Sequence, residues 1–295
     1  MSSLTGTGVT GDWNRWKKTL QRMLIDRLRV LIILLPLGLA AIALGGIVYA
    51  LAVTLILCLA ALEYSQLFHT GGYQPAGFLA VIGAGLFSLG RYWNGFESGA
   101  WILAAVVMLS MAYHLVQYER GRDLAGTEFG ITVGGVLYIG WLGAYLVSLR
   151  TLPEGMWWTL VVLLSVWLAD SGAYIGGTLL GRHKISPRLS PKKSLEGYLA
   201  GILTGAGGTA GLAALWRTFA GPGSQITPLR GALIGLVVAV LTIFGDLGIS
   251  MIKRQVGAKD SGKLLPGHGG MLDRIDTWLW AAVIGYYMIT TFFLR

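Results

Sequence analysis

Residues 231–251 read GALIGLVVAVLTIFGDLGISM, and residues 252–276 follow at once as IKRQVGAKDSGKLLPGHGGMLDRID. The first stretch has the length and apolarity of a membrane-spanning helix, which needs about 20 mostly apolar residues. It carries one carboxylate, Asp246, late in the run. A carboxylate inside a span costs about 2.5–3.5 kcal/mol on insertion scales, so it faces a cavity, a partner or an ion. The second stretch gathers charge and glycine. A span that runs straight into a dense polar segment sets the pattern for the whole chain.

Working outward, further apolar runs cover 30–46, 47–62, 76–90, 100–116, 130–149, 157–179, 197–216 and 277–294. Gly45-Gly46 between the first two suits a tight helical hairpin, and the third is short and glycine-rich. The expected fold is all-α, a polytopic integral membrane protein of about nine transmembrane helices. Composition agrees: of 295 residues, 54% are hydrophobic and 13% charged, against roughly 25% charged in a soluble domain. A disordered chain and an ordinary soluble enzyme are both excluded. Cys58 is the single cysteine, so no internal disulfide forms. Residues 1–30 hold six basic residues without a small-residue cleavage site after a short apolar stretch, so the first span is expected to be retained.

Lys and Arg orient the spans. With a cytoplasmic N-terminus, 18 of the 23 basic residues fall in the N-terminal arm and the fourth, sixth and eighth loops. Arg91, Arg150, Arg217, Arg230 and Arg295 remain outside, where the C-terminus also falls. The net charge of +9 therefore does not point to nucleic acid. Three regions are expected: a basic arm over 1–29, transmembrane helices over 30–150, and a C-terminal catalytic region over 151–295 with cytoplasmic loops 180–196 and 252–276. In the arm, Trp13, Trp16, Leu20, Leu24 and Leu28 recur at helical spacing among basic residues. The arm reads either as an amphipathic helix on anionic lipid or as a topology-setting leader. Trp157, Trp158, Trp278 and Trp280 sit at span ends, as aromatic-belt residues do.

The remaining polar residues concentrate in two inside-facing segments. In the first, Asp170 precedes a loop with Ser186-Pro187, Ser190-Pro191 and Lys192-Lys193. The prolines keep this segment extended, and lysine is a point-charge partner for phosphate. The same loop also reads as a topology signal with no ligand. In the second segment, Asp246, Ser250, Lys253 and Arg254 share one helical face, and Asp273 and Asp276 stand i, i+3 at the start of the last helix. Acidic residues in a first turn suit the helix dipole, which leaves Asp246 unexplained. Carboxylates from several helix ends beside Lys and Arg suit Mg²⁺ with substrate phosphates. Gly267, Gly269 and Gly270 around His268 allow close approach of a ligand. The chemistry implied is metal-assisted phosphoryl or nucleotidyl transfer to a membrane substrate. Gly257 to Leu264 resembles a phosphate loop but has Leu264 where a hydroxyl is needed. Gly205, Gly207, Gly208 and Gly211 read as small residues at a helix contact.

The stretch Ser250-x2-Lys253-Arg254-x4-Lys259-Asp260-Ser261-Gly262-x3-Pro266-Gly267-His268-Gly269-Gly270-x2-Asp273-Arg274-x-Asp276 closely resembles the signature of the phosphatidate cytidylyltransferases (CDP-diacylglycerol synthases). Asp170 to Tyr174, Gly181 to Lys184 and Ser190 to Gly197 resemble further blocks of that family. The resemblance covers about 150–285. It implies transfer of CMP from CTP to phosphatidic acid, giving CDP-diacylglycerol and pyrophosphate, by a polytopic homodimer of the bacterial inner membrane with a cytosol-facing cavity. It implies Asp246 and Asp273 as ligands of Mg²⁺ with a possible K⁺, supported by Asp276 and Asp170. It assigns activity to Lys253, Arg254, Lys259, Asp260 and Asp273, triphosphate binding to Lys192 and Lys193, and substrate contacts to Ser250, His268, Gly269 and Arg274. Ile249 stands where many members have Glu, and Leu195 where many have Trp. The rival classes are a transporter of an anionic metabolite, which predicts midplane charges and an inverted repeat, and a CDP-alcohol phosphatidyltransferase, whose D-x2-D-G-x2-A-R pattern is absent.

Overall fold

The structure is a computed structural model that describes residues 32, 34–262, 264 and 269–294. The N-terminal arm and His268 lie outside the described residues. The apolar runs become helices: α1 Leu34–Leu44, with Pro36 near its start, α2 Gly46–Thr70, α3 Gly77–Asn94, α4 Glu97–Glu119 and α5 Ala125–Gly135. A π-helical turn over Val136–Trp141 carries α5 toward α6 Tyr145–Thr151. Then come α7 Gly155–Leu180, strands β1 Lys184–Ser186 and β2 Ser190–Ser194, α8 Leu195–Ala220, α9 Pro228–Leu241, α10 Ile243–Gln255 and α11 Leu272–Met288. Among the described residues, six stretches are long and apolar enough to cross a membrane: 46–70, 97–119, 125–151, 155–180, 195–220 and 228–255. The protein is thus a helical integral membrane protein.

One feature departs from an all-α chain. β1 and β2 pair antiparallel, Lys184 opposite Ser194 and Ser186 opposite Ser190. The two Ser-Pro steps keep this loop extended, as expected, and short strand pairing satisfies its backbone. Helix boundaries also tighten the loops, to 181–194 and 256–271, so that Asp273 and Asp276 fall in the first turns of α11. At Gly45 the chain breaks between α1 and α2 with φ of 65°, a left-handed conformation that glycine adopts without steric cost. Arg150 Nε donates to the Ile42 carbonyl at 2.7 Å, supplying a partner to a helix end that has none of its own.

Helices from both sides of residue 150 share one apolar core: Leu57, Ala60 and Tyr64 of α2 pack with Ile249 of α10 and with Leu272, Ile275 and Leu279 of α11. The packing of α7 on α8 and of α8 on α9 depends on small residues. A Cβ at Gly197 would lie 2.7 Å from the Ala173 carbonyl oxygen, and one at Gly205 would lie 2.9 Å from Ala239 Cβ. Gly208 packs against Leu168, whereas Gly207 and Gly211 have nothing within 4 Å. Only half of that expected glycine cluster therefore makes the contact, because a period of 3.6 turns the other two away.

The tryptophans need a correction. Trp158 is fully buried and stacks on Phe293 at 6.0 Å. Trp280 Nε1 donates to Tyr138 Oη at 3.0 Å, and Trp278 packs on Trp167. Trp158 is thus a bundle residue rather than part of a lipid-facing belt, since position along a span does not say which side of the helix faces lipid.

Two ends of the bundle emerge from the contacts. At one, Arg122 Nη2 donates to the Gly72 carbonyl at 2.7 Å, Gly71 abuts Val256, and Gln74 N–H donates to Glu128 at 2.7 Å. At the other, Arg91 lies 3.5 Å over the Phe96 ring, and Ser224 donates to Glu154 at 3.1 Å. The segments after α2, α4 and α10 thus converge at one end. The link after α7 joins them through Lys193, which pairs with Asp246.

Candidate active site

α10 begins at Ile243, so Asp246 stands in its first turn and Ser250 one turn on. Ser250 Oγ donates to Asp246 Oδ1 at 3.3 Å. Lys193, near the end of β2, pairs with the other Asp246 oxygen. One turn further, Lys253 Nζ donates to Asp273 Oδ1 at 2.7 Å. Asp273 Oδ2 accepts the N–H groups of Ser261 at 2.8 Å and Gly270 at 3.3 Å, and Asp273 N–H returns a bond to Ser261 Oγ at 3.3 Å. The helices meet closely: a Cβ at Gly245 would lie 2.5 Å from the Asp276 carbonyl oxygen.

The two ion pairs differ in solvation. The Lys253 and Asp273 side chains are 12% and 11% exposed, those of Lys193 and Asp246 29% and 35%. The first pair is largely withdrawn from water and the second opens to it. Burial alone would raise the Asp273 carboxyl, but Lys253 and the Ser261 donors outweigh it and hold the group below the ordinary carboxylate range. Asp276 goes the other way: burial first, then the Asp246 charge, push it up to about 7. Asp170 on α7 lies within electrostatic reach of Lys193 and Asp246.

The structure therefore brings together Asp170, Lys193, Asp246, Ser250, Lys253, Asp273 and Asp276. Gly269 joins them, with φ of 82° and a Cβ position 3.1 Å from Asp273 Oδ2. Arg254 turns aside, donating to the Ala258 carbonyl at 3.2 Å. Lys192, Lys259, Asp260 and Arg274 are exposed around the site. Ile249 is fully buried in the core, so where many relatives of the signature carry Glu this chain puts an apolar packing residue. Among the described residues, no three His, Cys, Asp or Glu side chains gather in a metal-holding group.

One residue escaped the sequence reading. Glu63 of α2 is 4% exposed, and its Oε2 accepts from Leu272 N–H at 2.9 Å and from Ser261 Oγ at 3.3 Å. It ends an apolar run of the N-terminal half, and a lone carboxylate there was the available signal.

A family model of cytidylyltransferases matches residues 25–292. The chain belongs to the cytidylyltransferase family. It is a nucleotidyltransferase, one of the two reaction classes that the polar segments implied. Among relatives of the family, it is 35% identical to a phosphatidate cytidylyltransferase of Pseudomonas aeruginosa, across 86% of this chain and 93% of that protein. It is 30% identical to one of Synechocystis sp., across 86% of this chain and 92% of that one. A third relative, from Mycobacterium leprae, is 31% identical across 86% of this chain and 85% of its own.

Proposed function

We propose that the protein transfers CMP from CTP to phosphatidic acid, giving CDP-diacylglycerol and pyrophosphate, on the cytoplasmic face of a bacterial inner membrane. The names of its relatives support the reaction. The observation that carries the site is the pairing of Lys193 with Asp246 and of Lys253 with Asp273. Two cations and two carboxylates thus stand together where the polar loops converge. On this reading the chain crosses nine times, with its N-terminus inside and its C-terminus outside, and works as a homodimer. Family membership and the absence of a detectable repeat argue against the transporter class.

An oxygen of the lipid phosphate attacks the α-phosphorus of CTP, and the bond from that phosphorus to the bridging oxygen of pyrophosphate breaks. A phosphate dianion is already nucleophilic, so no strong base is required. Lys193 and Lys253 are held by carboxylates before substrate arrives. Triphosphate oxygens compete for the same ammonium groups, which then face charge developing on the transferred group. Lys192, Lys259, Arg254 and Arg274 add positive potential around the mouth, and His268 with Gly269 is assigned to substrate contact. The carboxylate oxygens of Asp246 and Asp273 fit a hard cation, since Mg²⁺ takes one or two carboxylates together with substrate phosphates. Those two residues would hold Mg²⁺, with Asp276 and Asp170 beside them and K⁺ as a second cation. Such an ion would neutralise charge on the phosphates.

Purified protein incubated with labelled CTP and phosphatidic acid should release pyrophosphate and form CDP-diacylglycerol. Activity with CDP-diacylglycerol and an alcohol instead would favour a phosphatidyltransferase. Near-wild-type turnover in both Asp246→Asn and Asp273→Asn would sink the metal assignment.

A further inference from the structure

The C-terminal site is tied to the N-terminal half of the chain through Glu63. Leu272 is the first residue of α11, and the preceding Met271 offers no side-chain cap. The first N–H groups of a helix lack internal partners, and a carboxylate there also meets the favourable end of the helix dipole. Glu63 Oε2 supplies that cap from another helix, accepting Leu272 N–H at 2.9 Å. The same oxygen accepts the Ser261 hydroxyl at 3.3 Å. One carboxylate therefore holds both ends of the segment from 261 to 272.

Two glycines make room for it. A Cβ at Gly262 would lie 2.5 Å from Glu63 Oε1, and one at Gly270 would collide with Glu63 Oε2 and Ser261 Oγ. Glu63 Oε1 itself is buried with no hydrogen-bond partner among the described residues. The carboxylate is thus flanked by Ser261, Gly262, Gly270 and Leu272. Ser261, fixed by Glu63, both donates its N–H to Asp273 Oδ2 and accepts Asp273 N–H.

We propose that Glu63 is a positioning residue of the active site: through Ser261 and Leu272 it sets the Asp273 carboxylate against Lys253. Glu63 acts through the backbone and hydroxyl it holds and does not itself meet substrate. The proposal rests on the reading of Asp273 as an active-site residue. It predicts that an acceptor at position 63 is needed rather than its charge. Glutamine keeps the shape and can place its carbonyl at the Oε2 position, with its amide in the place of the unpartnered Oε1. Leucine fills the space and removes the acceptor.

The test uses the full chain in phosphatidic-acid-containing nanodiscs, as Glu63→Gln, Glu63→Leu, Ser261→Ala and Asp273→Asn. Three readouts are taken: turnover with CTP, the thermal midpoint, and hydrogen exchange by mass spectrometry. Glu63→Leu should lose about 10- to 100-fold in turnover, the range for residues that orient a ligating group. Its exchange should quicken in peptides from 256–276 and not elsewhere, and its KM for phosphatidic acid should hold. Glu63→Gln should recover most of the turnover and protection. Wild-type turnover in Glu63→Leu overturns the proposal, and so does a Gln variant no better than Leu. If Glu63→Leu does not fold, Ser261→Ala decides: wild-type turnover and exchange there overturn it equally. An active Asp273→Asn sinks the reading of Asp273. An inactive Asp273→Asn beside an active Glu63→Leu sinks only the role of Glu63.

Discussion

Lys253→Met separates the catalytic role proposed for the buried ion pair from its structural one. Lys253 Nζ lies 2.7 Å from Asp273 Oδ1, and both side chains are nearly nine-tenths covered. Removing one partner of a fully buried pair costs about 3–5 kcal/mol. Here Asp273 keeps the N–H groups of Ser261 and Gly270 on its other oxygen, so the loss should be nearer about 2 kcal/mol, typical of a hydrogen bond to a charged group. Turnover should fall much further, by about 10²–10³-fold, if the ammonium meets charge that develops only in the transition state. Acid stability should change as well. Lys253 helps to hold the Asp273 pKa below its ordinary value. In the wild type that stabilisation is fully present above the ordinary pKa of about 3.9 and is lost as pH falls through the lower folded value. In Lys253→Met the folded pKa rises, so the acid-side loss over that window should shrink. The assay pairs CDP-diacylglycerol formation from labelled CTP with thermal midpoints between pH 3 and pH 8. A variant that turns over like wild type, or that loses activity only in proportion to its unfolding, would refute the reasoning.

Four further outcomes are expected. Asp276, with its pKa raised to about 7, binds its proton more tightly folded than unfolded, so it makes stability fall as pH rises from the ordinary value of about 3.9 towards 7. Asp276→Asn should flatten that slope in thermal midpoints, and an unchanged slope would assign it elsewhere. Gly235→Ala drives a methyl group into the Gly205 carbonyl and lies 2.7 Å from Thr209 Oγ1; it should destabilise by about 1–3 kcal/mol, as overpacking does. Gly207→Ala, with nothing within 4 Å, should leave the thermal midpoint unchanged. Chelation should abolish pyrophosphate release and added Mg²⁺ restore it, with Asp246→Asn requiring more of the ion.

Much of the site was legible because its residues lie close in sequence. Asp246, Ser250 and Lys253 share a helical face by period alone, and Asp273 follows within one loop. Membrane character was legible because so few residues are charged. The second half of each interaction was not. That Lys193 rather than Lys192 pairs with Asp246 depends on the strand pair placing one lysine toward α10. Arg254 sits on the same helical face as Asp246 by spacing, yet it bonds its own loop.

The sequence by itself determined that the chain is a bundle of apolar helices with its polar residues gathered in two segments. Burial of about 20 apolar residues per span leaves little other choice in lipid. Tertiary structure alone decided which carboxylate faces which cation. It also turned Trp158 into the bundle and brought Glu63 to Ser261 and Leu272. The Glu63 contacts join residues 198 and 209 positions apart. No local period encodes such a distance, and only the close packing of helices on small residues brings the two ends into contact.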